Sequence, residues 1–126
     1  MPVSGLPPYD DNNIFARILR GEIPCRKVYE DEWAFAFHDI NPQAPLHILI
    51  LPKGRYVSFA DFSAAGSAEE IAGFFRAVGK IAKAQGMEAA GYRLLANMGA
   101  DAGQEVPHFH LHLFSGRPLG RMLAAA

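Results

Sequence analysis

The chain of 126 residues is predicted to fold as an α+β protein with a five-stranded antiparallel sheet and two main helices. Two observations favour this class. Five apolar segments have the length and alternation of strands, and most of them follow one another directly along the chain. Two other segments show the spacing of an amphipathic helix. Consecutive strands with helices set apart from them are typical of an antiparallel sheet covered by a helical layer.

The chain begins with a proline-rich segment, residues 1–12, which its composition predicts to be a flexible arm. This segment lacks both the basic start and the apolar core of a secretory signal, so we expect a cytoplasmic protein. Asn12 or Asn13 can then cap a short helix that Gly21 ends. The apolar side of this helix consists of Ile14, Phe15, Ile18 and Leu19.

Three strands are predicted to follow the first helix. Residues 26–29 and 32–38 form two strands joined by a turn, and aromatic residues alternate with alanines in the second. A loop over residues 39–45, which contains two prolines, leads into the third strand at residues 46–51. Because this third strand is apolar on both faces, we expect it to lie at the centre of the sheet.

The longest helix is predicted to begin after Ser67, which has capping-box spacing with Glu70, and to end at Gly86. A fourth strand is predicted over residues 92–97. A glycine-rich loop leads from it to a fifth strand, which begins after Pro107 because proline cannot donate a ladder hydrogen bond. The apolar stripe of the long helix consists of Ile71, Phe74, Phe75, Val78, Ile81 and Ala82.

Composition and charge exclude several classes of function. The formal net charge of −1 provides no basic excess for binding a nucleic-acid backbone. No apolar run is long enough to span a bilayer, so no membrane partner is expected. The single cysteine, Cys25, cannot form an internal disulfide. The chain is therefore expected to be one ordinary globular domain.

The most informative segment lies at residues 108–114, where three histidines alternate with large apolar residues. Successive side chains of a strand point to opposite faces. The spacing therefore predicts that His108, His110 and His112 share one face, while the apolar residues Phe109, Leu111 and Leu113 point into a core.

Three interpretations of this histidine face remain open. In the first, the strand is simply half solvated. In the second it binds zinc, for which imidazole is a common ligand, although the same run contains no carboxylate or thiolate as a fourth ligand. In the third, which we favour, it performs covalent catalysis, because neutral imidazole is a good nucleophile towards phosphorus. Neighbouring imidazoles disfavour each other's protonation, so one stays neutral while another holds a proton for the leaving group, which suits cleavage of a phosphorus–nitrogen bond.

The glycine-rich loop before the histidines suits the same chemistry. Backbone N–H groups at Gly99 and over residues 103–106 can bind phosphate oxygens where negative charge builds up. Alone, this signal is weak, because glycines before a strand commonly serve a turn. The chain contains no Walker-type phosphate loop, so an ATPase has no support.

Several separate blocks of the sequence resemble the histidine triad (HIT) superfamily, and in particular its Hint branch. Residues 108–114 resemble the His-x-His-x-His signature, and other blocks of the branch are matched, in order, by residues 14–18, 37–47, 97–99 and 103–106. The likeness covers residues 13–118. It implies a HIT-like domain of that extent, followed by a C-terminal tail over residues 119–126.

The resemblance implies a homodimeric purine nucleoside phosphoramidase that needs no metal or other cofactor. Members of the branch form a covalent intermediate on the middle histidine, so His110 is expected to attack the α-phosphorus of an adenosine or guanosine 5′-phosphoramidate. His112 is expected to contact the phosphate and help protonate the leaving amine, and His108 and His47 to orient the nucleophile. The expected dimer joins the long helix and one strand of each subunit.

The resemblance also assigns the residues that bind this purine nucleotide substrate. Asp39 is expected to bind the ribose hydroxyls, and His38 to lie at the edge of the base pocket. The base pocket is expected to consist of Ile14, Phe15, Ile18, Phe37 and Ile40. The phosphate is expected to be held by Asn97 and the backbone of Gly103, Gln104, Glu105 and Val106.

Two departures from the family pattern concern the leaving group. Glu105 stands where some members have a serine, and the tail lacks a tryptophan that some relatives have. Two other functions are weighed against the phosphoramidase. One is a dinucleoside polyphosphate hydrolase from another branch, although Ser115-Gly116 after the histidines is closer to the Hint branch. The other is a nucleotide-binding scaffold protein whose hydrolysis is incidental.

Overall fold

The computed structural model describes residues 3–124 and contains one open sheet. Its strands are β1 Lys27–Glu30, β2 Ala34–His38, β3 Leu46–Pro52, β4 Arg93–Leu95 and β5 Leu111–Ser115. Its helices are α1 Ile14–Leu19, α2 Phe59–Ala65 and α3 Ala68–Ala84. The strand order is β1-β2-β3-β5-β4, and every neighbouring pair is antiparallel. The predicted α+β class and five-stranded antiparallel sheet are confirmed.

β3 lies at the centre of the sheet, as its apolar pattern predicts. Ile48 and Ile50 are buried on the face that packs against α3. Leu49 and Leu51 are buried on the opposite face, in a second apolar cluster that includes residues of α1. The alternation in β2 divides in the same way, with its alanines on the α3 face and its phenylalanines on the α1 face. The sheet therefore separates two apolar layers.

The predicted alternation of the histidine segment is confirmed, although its ladder is shorter than expected. Phe109, Leu111 and Leu113 are buried in the cluster that packs against α3. Strand pairing starts only at Leu111, which lies opposite Ile50 of β3. Before that point the backbone is held differently, by a hydrogen bond of 2.7 Å from the N–H of Phe109 to the carbonyl of Tyr56.

The two predicted helices and their caps are confirmed. The side chain of Asn13 accepts a hydrogen bond from the N–H of Ala16 at the start of α1. Ser67 and Glu70 form both bonds of the predicted capping box of α3. The predicted apolar stripe of α3 is wrong at Phe75, whose side chain is 43% exposed. The buried side of the helix turns towards Ala77 instead.

The helix α2 was not predicted, because its sequence has no helical periodicity. Of its seven residues, only Phe62 is buried. One buried residue in two turns leaves no apolar stripe for a pattern to reveal. The available signal was local, since Ser58 and Asp61 have capping-box spacing and form both of its bonds.

Residues 1–12 are the segment expected to form a flexible arm. The described part of this segment packs along the domain, and the carbonyl of Gly5 accepts a hydrogen bond of 2.7 Å from the Ser58 hydroxyl. Asp11 accepts two bonds from the Arg55 guanidinium, of 2.8 and 2.9 Å. Composition does not reveal such a packed segment, because single polar contacts rather than an apolar run hold it.

The C-terminal tail is described as far as residue 124, and its first part is tied to the sheet. Arg93 of β4 donates hydrogen bonds to the carbonyls of Gly120 and Arg121. Met1, Pro2 and the last two alanines lie outside the described residues. Over residues 3–124, no helix has both the length and the apolar character required to cross a bilayer.

Candidate active site

A cavity of about 270 Å³ opens on the α1 face of the sheet, where the ends of three segments meet. β5 contributes His112 and the residue before the strand contributes His110, while the β2–β3 loop and the loop from Asn97 to Val106 form two further walls. The lining residues are Phe15, Asp39, Asn41, Gln43, Leu49, Asn97, Gly103, Gln104, Glu105, Val106, His110 and His112.

Most residues predicted for the site line this cavity, but several do not. The predicted residues that line it are Phe15, Asp39, Asn97, Gly103, Gln104, Glu105, Val106, His110 and His112. Ile18 and Phe37 are buried behind Phe15 in the second apolar cluster. The predicted residues on the surface are Ile14 and Ile40, which are 47% and 89% exposed. His38, His47 and His108 also lie outside the lining, His38 half-buried at the end of β2.

Three lining residues were not singled out from the sequence. Asn41 and Gln43 lie in the loop after Asp39, and Leu49 lies in β3. A signal for Leu49 was available, because it shares a sheet face with the predicted residue Phe37, its partner in the β2–β3 ladder. Asn41 and Gln43 appear in the sequence only as turn residues on either side of Pro42, so their place depends on the folded loop.

Hydrogen bonding assigns the tautomer of His110. Its Nδ1 lies 2.7 Å from the carbonyl oxygen of His108. A carbonyl oxygen can only accept a hydrogen bond, so Nδ1 must carry the proton. The lone pair of the neutral ring is therefore on Nε2. The ring is held from the side by Phe15, whose ring meets it edge-on with centroids 4.9 Å apart.

A second chain of hydrogen bonds assigns the proton of His112. The backbone N–H of Gln43 donates to Nδ1 of His47 over 3.1 Å, so His47 carries its own proton on Nε2. That proton is donated to Nδ1 of His112, 2.9 Å away. Neutral His112 must then hold its proton on Nε2. The cavity is thus lined by one imidazole with a free lone pair and by another with an N–H to donate.

His108 is fully buried and has both ring nitrogens bonded. Its Nε2 donates to the carbonyl of Pro52 over 2.9 Å, which leaves the Nδ1 lone pair to accept from the hydroxyl of Tyr9 over 2.6 Å. His108 is therefore not solvated, as the first of the three interpretations of the histidine face would require. The ring lies between the end of β3 and the N-terminal segment, and it reaches His110 only through its own backbone carbonyl.

Burial keeps the four histidines of this network neutral. It lowers the pKa of His108 from its ordinary value of 6.5 to about 4. Burial, together with repulsion from His110 and His47, also lowers the pKa of His112 to about 4. The pKa values of His110 and His47 are lowered for the same main reason, against an opposing effect of the Asp39 carboxylate. A neutral nucleophile and a neutral donor can therefore coexist at pH 7.

The loop over residues 99–106 offers fewer backbone donors than the sequence predicts. The N–H of Gly103 is bonded to the carbonyl of Ala100, and that of Gln104 to the carbonyl of Gly99. The Gln104 side chain is also internal, with bonds to Gly99, Val57 and Val106. Within residues 3–124, the N–H groups of Glu105 and Val106 form no backbone hydrogen bond. Of the predicted donors, these two N–H groups are therefore the ones that remain for an anion, and the Gln104 side chain supports the loop from inside.

The charge of the cavity is negative. Asp39 and Glu105 contribute carboxylates to the lining, and none of the twelve lining residues is a lysine or arginine. Asp39 is positioned by the N–H of Asn41, which donates to its Oδ1 over 2.8 Å. A phosphate in this cavity would therefore depend on backbone N–H groups and imidazole for its contacts.

Asp39, His47 and His112 also form a set of groups that suits a metal. One possible ligand atom from each of the three residues lies within 4.8 Å of the other two. Zinc binds both imidazole nitrogen and carboxylate oxygen. The carboxylate is that of Asp39 in the β2–β3 loop, whereas the histidine segment itself contains no carboxylate. The facing nitrogens of His47 and His112 share a hydrogen bond of 2.9 Å, so a metal there would have to displace the shared proton.

Residues 20–119 match the family model described as HIT domain. An uncharacterised 13.2 kDa HIT-like protein of Azospirillum brasilense is 64% identical over 115 residues, which are 91% of this chain and 94% of the relative. A protein of Escherichia coli K12 named purine nucleoside phosphoramidase is 45% identical over 114 residues, which are 90% of this chain and 95% of the relative.

Solved structures are similar over the same region. A HIT family hydrolase from Clostridium thermocellum matches with a TM-score of 0.82 and 37% identity, over 90% of this chain and 99% of that one. A histidine triad protein from Clostridium difficile matches with a TM-score of 0.80 and 42% identity, over 87% of this chain and 95% of that one.

Proposed function

The chain belongs to the HIT family, and we propose that it is a hydrolase that cleaves purine nucleoside 5′-phosphoramidates to the nucleoside monophosphate and an amine. The observation that carries this proposal is that two imidazoles with different tautomers line the same cavity. His110 has a free Nε2 lone pair, while His112 holds a donor proton on Nε2. These are the nucleophile and the acid that cleavage of a phosphorus–nitrogen bond requires.

In the first step, Nε2 of His110 attacks the α-phosphorus and the bond from phosphorus to the amine nitrogen breaks. The electron pair of that bond goes to the nitrogen, which takes the Nε2 proton of His112 and leaves as a neutral amine. His112 is left as an imidazolate, whose negative charge balances the positive charge on the ring of the His110 adduct. The nucleotide remains attached to His110. The carbonyl of His108 stabilises the positive charge that develops on the attacking ring, because it already accepts the Nδ1 proton.

In the second step, water attacks the phosphorus of the adduct. His112, now unprotonated at Nε2, accepts a proton from this water as the bond from phosphorus to His110 breaks. The products are the nucleoside monophosphate and the starting form of both histidines. Throughout the cycle His47 keeps its proton on Nε2, because its Nδ1 accepts a hydrogen bond from the Gln43 N–H. His47 therefore always donates to Nδ1 of His112, and the proton of neutral His112 returns to Nε2.

The remaining lining residues suit a bound purine nucleotide. Phe15, Leu49 and Val106 form an apolar wall against which a base can stack, with Ile18 and Phe37 packed behind it. Ile14 and Ile40 lie exposed in the segments next to this wall, and a bound base would remove part of their apolar surface from water. We assign Asp39 as the acceptor for the ribose hydroxyls. Asn97 and the N–H groups of Glu105 and Val106 are assigned as donors to the phosphate, since all of these residues line the cavity.

The charge of the cavity favours an amine over a second phosphate as the leaving group. A dinucleoside polyphosphate would bring further negative charge into a cavity whose lining includes Asp39 and Glu105 and contains no lysine or arginine. An amine is neutral or positively charged and is not repelled there. We therefore place the polyphosphate hydrolase second and the scaffold protein third.

The same proposal includes a homodimer. Phe75 of α3 and Leu94 of the edge strand β4 are apolar side chains exposed in the single chain, 43% and 39% respectively. Exposed apolar residues on the long helix and on an edge strand suit the subunit contact that the family resemblance implies. Sedimentation equilibrium tests this part separately from the activity.

The activity is tested by incubating the wild type and His110→Ala with adenosine 5′-phosphoramidate and with a diadenosine polyphosphate. We expect the wild type to release adenosine monophosphate from the phosphoramidate and the variant to release none, with an unchanged circular dichroism spectrum. Acid-quenched mass spectrometry of the wild type should detect a nucleotide attached to the protein. Preferred cleavage of the polyphosphate, or binding without turnover in both proteins, would contradict the proposal.

A further inference from the structure

Tyr9 lies outside the cavity but is bonded to the histidine network. Its hydroxyl is 2.6 Å from Nδ1 of His108, and the two rings meet edge-on with centroids 5.6 Å apart. We propose that Tyr9 is a positioning residue for His110, which it orients by fixing the ring and thereby the backbone carbonyl of His108. This inference rests on the proposed function for the role of His110, whereas its structural part stands on the hydrogen bonds alone.

The direction of the bond follows from the partners of His108. The carbonyl of Pro52 can only accept, so the proton of His108 is on Nε2 and its Nδ1 is an acceptor. The hydroxyl of Tyr9 must therefore donate. Burial raises the pKa of this phenol above its ordinary value, so the donor proton is retained at neutral pH. With His108 0% exposed, water cannot reach the ring to replace the hydroxyl.

Strand pairing does not reach His108, so its backbone and ring are positioned by single hydrogen bonds. The ladder of β5 begins at Leu111, and the nearest backbone bond is that of Phe109 to Tyr56. The peptide unit that carries the His108 carbonyl is held on one side by the Phe109 N–H, and the ring bonds of His108 to Pro52 and Tyr9 add the constraint on its other side. That carbonyl accepts the Nδ1 proton of His110 over 2.7 Å, so its position determines the direction and the tautomer of the nucleophile.

Tyr9 is itself held from both sides of the segment that carries it. Gly5 is anchored by Ser58, and Asp11 by the Arg55 guanidinium. The same guanidinium lies over the Tyr9 ring, 5.1 Å from its centroid. The N-terminal segment therefore presents a fixed hydroxyl to His108. Since Tyr9 does not line the cavity, it has no contact through which to bind the substrate there.

The test compares Tyr9→Phe with Tyr29→Phe, which removes a similar hydroxyl that donates to Asp31 over 2.7 Å on the edge strand β1. For adenosine 5′-phosphoramidate, we expect kcat of Tyr9→Phe to fall about tenfold, as for other side chains that orient a functional histidine, with KM nearly unchanged. Tyr29→Phe should keep the wild-type kcat. Both variants retain the aromatic ring, and circular dichroism checks their fold.

A spectroscopic readout separates positioning from a general structural effect. With 15N-labelled histidine, NMR of the wild type should show His110 as a single Nδ1–H tautomer and His108 as a single Nε2–H tautomer. In Tyr9→Phe we expect the His108 Nδ1 signal to lose its hydrogen-bond shift and His110 to become a mixture of tautomers. Tyr29→Phe should leave both rings unchanged.

The outcomes distinguish this inference from the proposed function. An active wild type with an equally active Tyr9→Phe would overturn the inference and leave the proposed function intact. A slower Tyr9→Phe with unchanged His110 signals would also overturn it, because the loss would not pass through the nucleophile. An inactive wild type would contradict the proposed function, while the NMR comparison would still test whether Tyr9 fixes the two rings.

Discussion

At the scale of single residues, chemistry at this site depends on which nitrogen of each imidazole carries the proton. Three backbone groups make that assignment: the carbonyls of Pro52 and His108, and the N–H of Gln43. Backbone groups have a fixed polarity that no rotation of a side chain can reverse. The two rings in the cavity therefore hold complementary roles before any substrate binds.

The role of His112 as acid predicts a dependence on the leaving group. In His112→Ala, the rate with a basic alkylamine leaving group should fall by about 10² to 10⁴, because that nitrogen must be protonated as it departs. The loss should be much smaller with a weakly basic aromatic amine, which leaves more easily without a proton. Steady-state rates over a series of amine leaving groups measure the slope of the rate against the basicity of the amine.

His38→Ala is the matched control for that series, since His38 is half-buried and does not line the cavity. It should retain the wild-type slope. An equal loss for all amines in His112→Ala would show that this residue positions the phosphate rather than protonating the amine.

The lowered pKa values predict the acid side of the pH–rate profile. The proposed nucleophile must be unprotonated, and burial lowers the pKa of His110 below the ordinary 6.5. The activity expressed as kcat/KM should therefore stay constant as the pH falls through 6.5 and decline only below it. Because neighbouring imidazoles titrate together, the pKa read from the acid limb of this profile describes the group of buried histidines rather than His110 alone. A limb centred at or above 6.5 would contradict the burial of this nucleophile.

At the scale of elements, α3 contains two glycines, one packed against another side chain and one facing open space. A Cβ added at Gly73 would lie 2.3 Å from the Trp33 ring, whereas one added at Gly79 would meet nothing within 4 Å. Gly73→Ala should cost about 1 to 3 kcal/mol of unfolding free energy because the indole must move. Gly79→Ala should add up to about 1 kcal/mol, since alanine favours a helix more than glycine does.

Urea unfolding followed by circular dichroism measures both changes, and each variant serves as the control for the other. Because both substitutions add the same methyl group to the same helix, helix propensity alone would stabilise both. A stabilising effect at Gly73 would mean that Trp33 is not packed against α3 as described.

At the scale of the whole molecule, the buried histidines link folding to pH. In the unfolded chain, His108 binds a proton below about pH 6.5, but in the folded protein only near pH 4. Between these values the unfolded state binds more protons, so stability decreases as the pH falls. The full shift of His108 corresponds to about 3 kcal/mol, all of it present above pH 6.5 and lost towards pH 4.

Urea unfolding of the wild type and His108→Gln between pH 7.5 and 4.5 tests this link. The wild type should lose stability more steeply, by up to about 1.4 kcal/mol per pH unit, because the variant lacks one proton-binding site of the unfolded state. The variant is expected to be less stable at pH 7.5, so the slopes are compared rather than the absolute values. Parallel slopes would mean that His108 is not neutral in the folded protein.

Periodicity and local spacing in the sequence determined the sheet, the two capped helices and the inward direction of Phe109, Leu111 and Leu113. These features depend on contacts near in sequence or on the alternation of a strand, which a single chain displays directly. The residue pattern alone pointed to the histidines and the glycine-rich loop, whereas Asp39, Phe15 and Asn97 were expected in the site only because of the resemblance to the HIT superfamily. The residue pattern did not reveal α2, whose single buried residue leaves no pattern.

Only the tertiary structure decided the partners of each imidazole. It placed His108 inside the protein against Tyr9, paired His47 with His112, and consumed the N–H groups of Gly103 and Gln104 within their own loop. These outcomes depend on groups that are distant in sequence, such as Tyr9 and His108, which are 99 residues apart. A hydrogen bond needs its two atoms within about 3 Å and aligned, a condition that the order of residues along the chain does not specify.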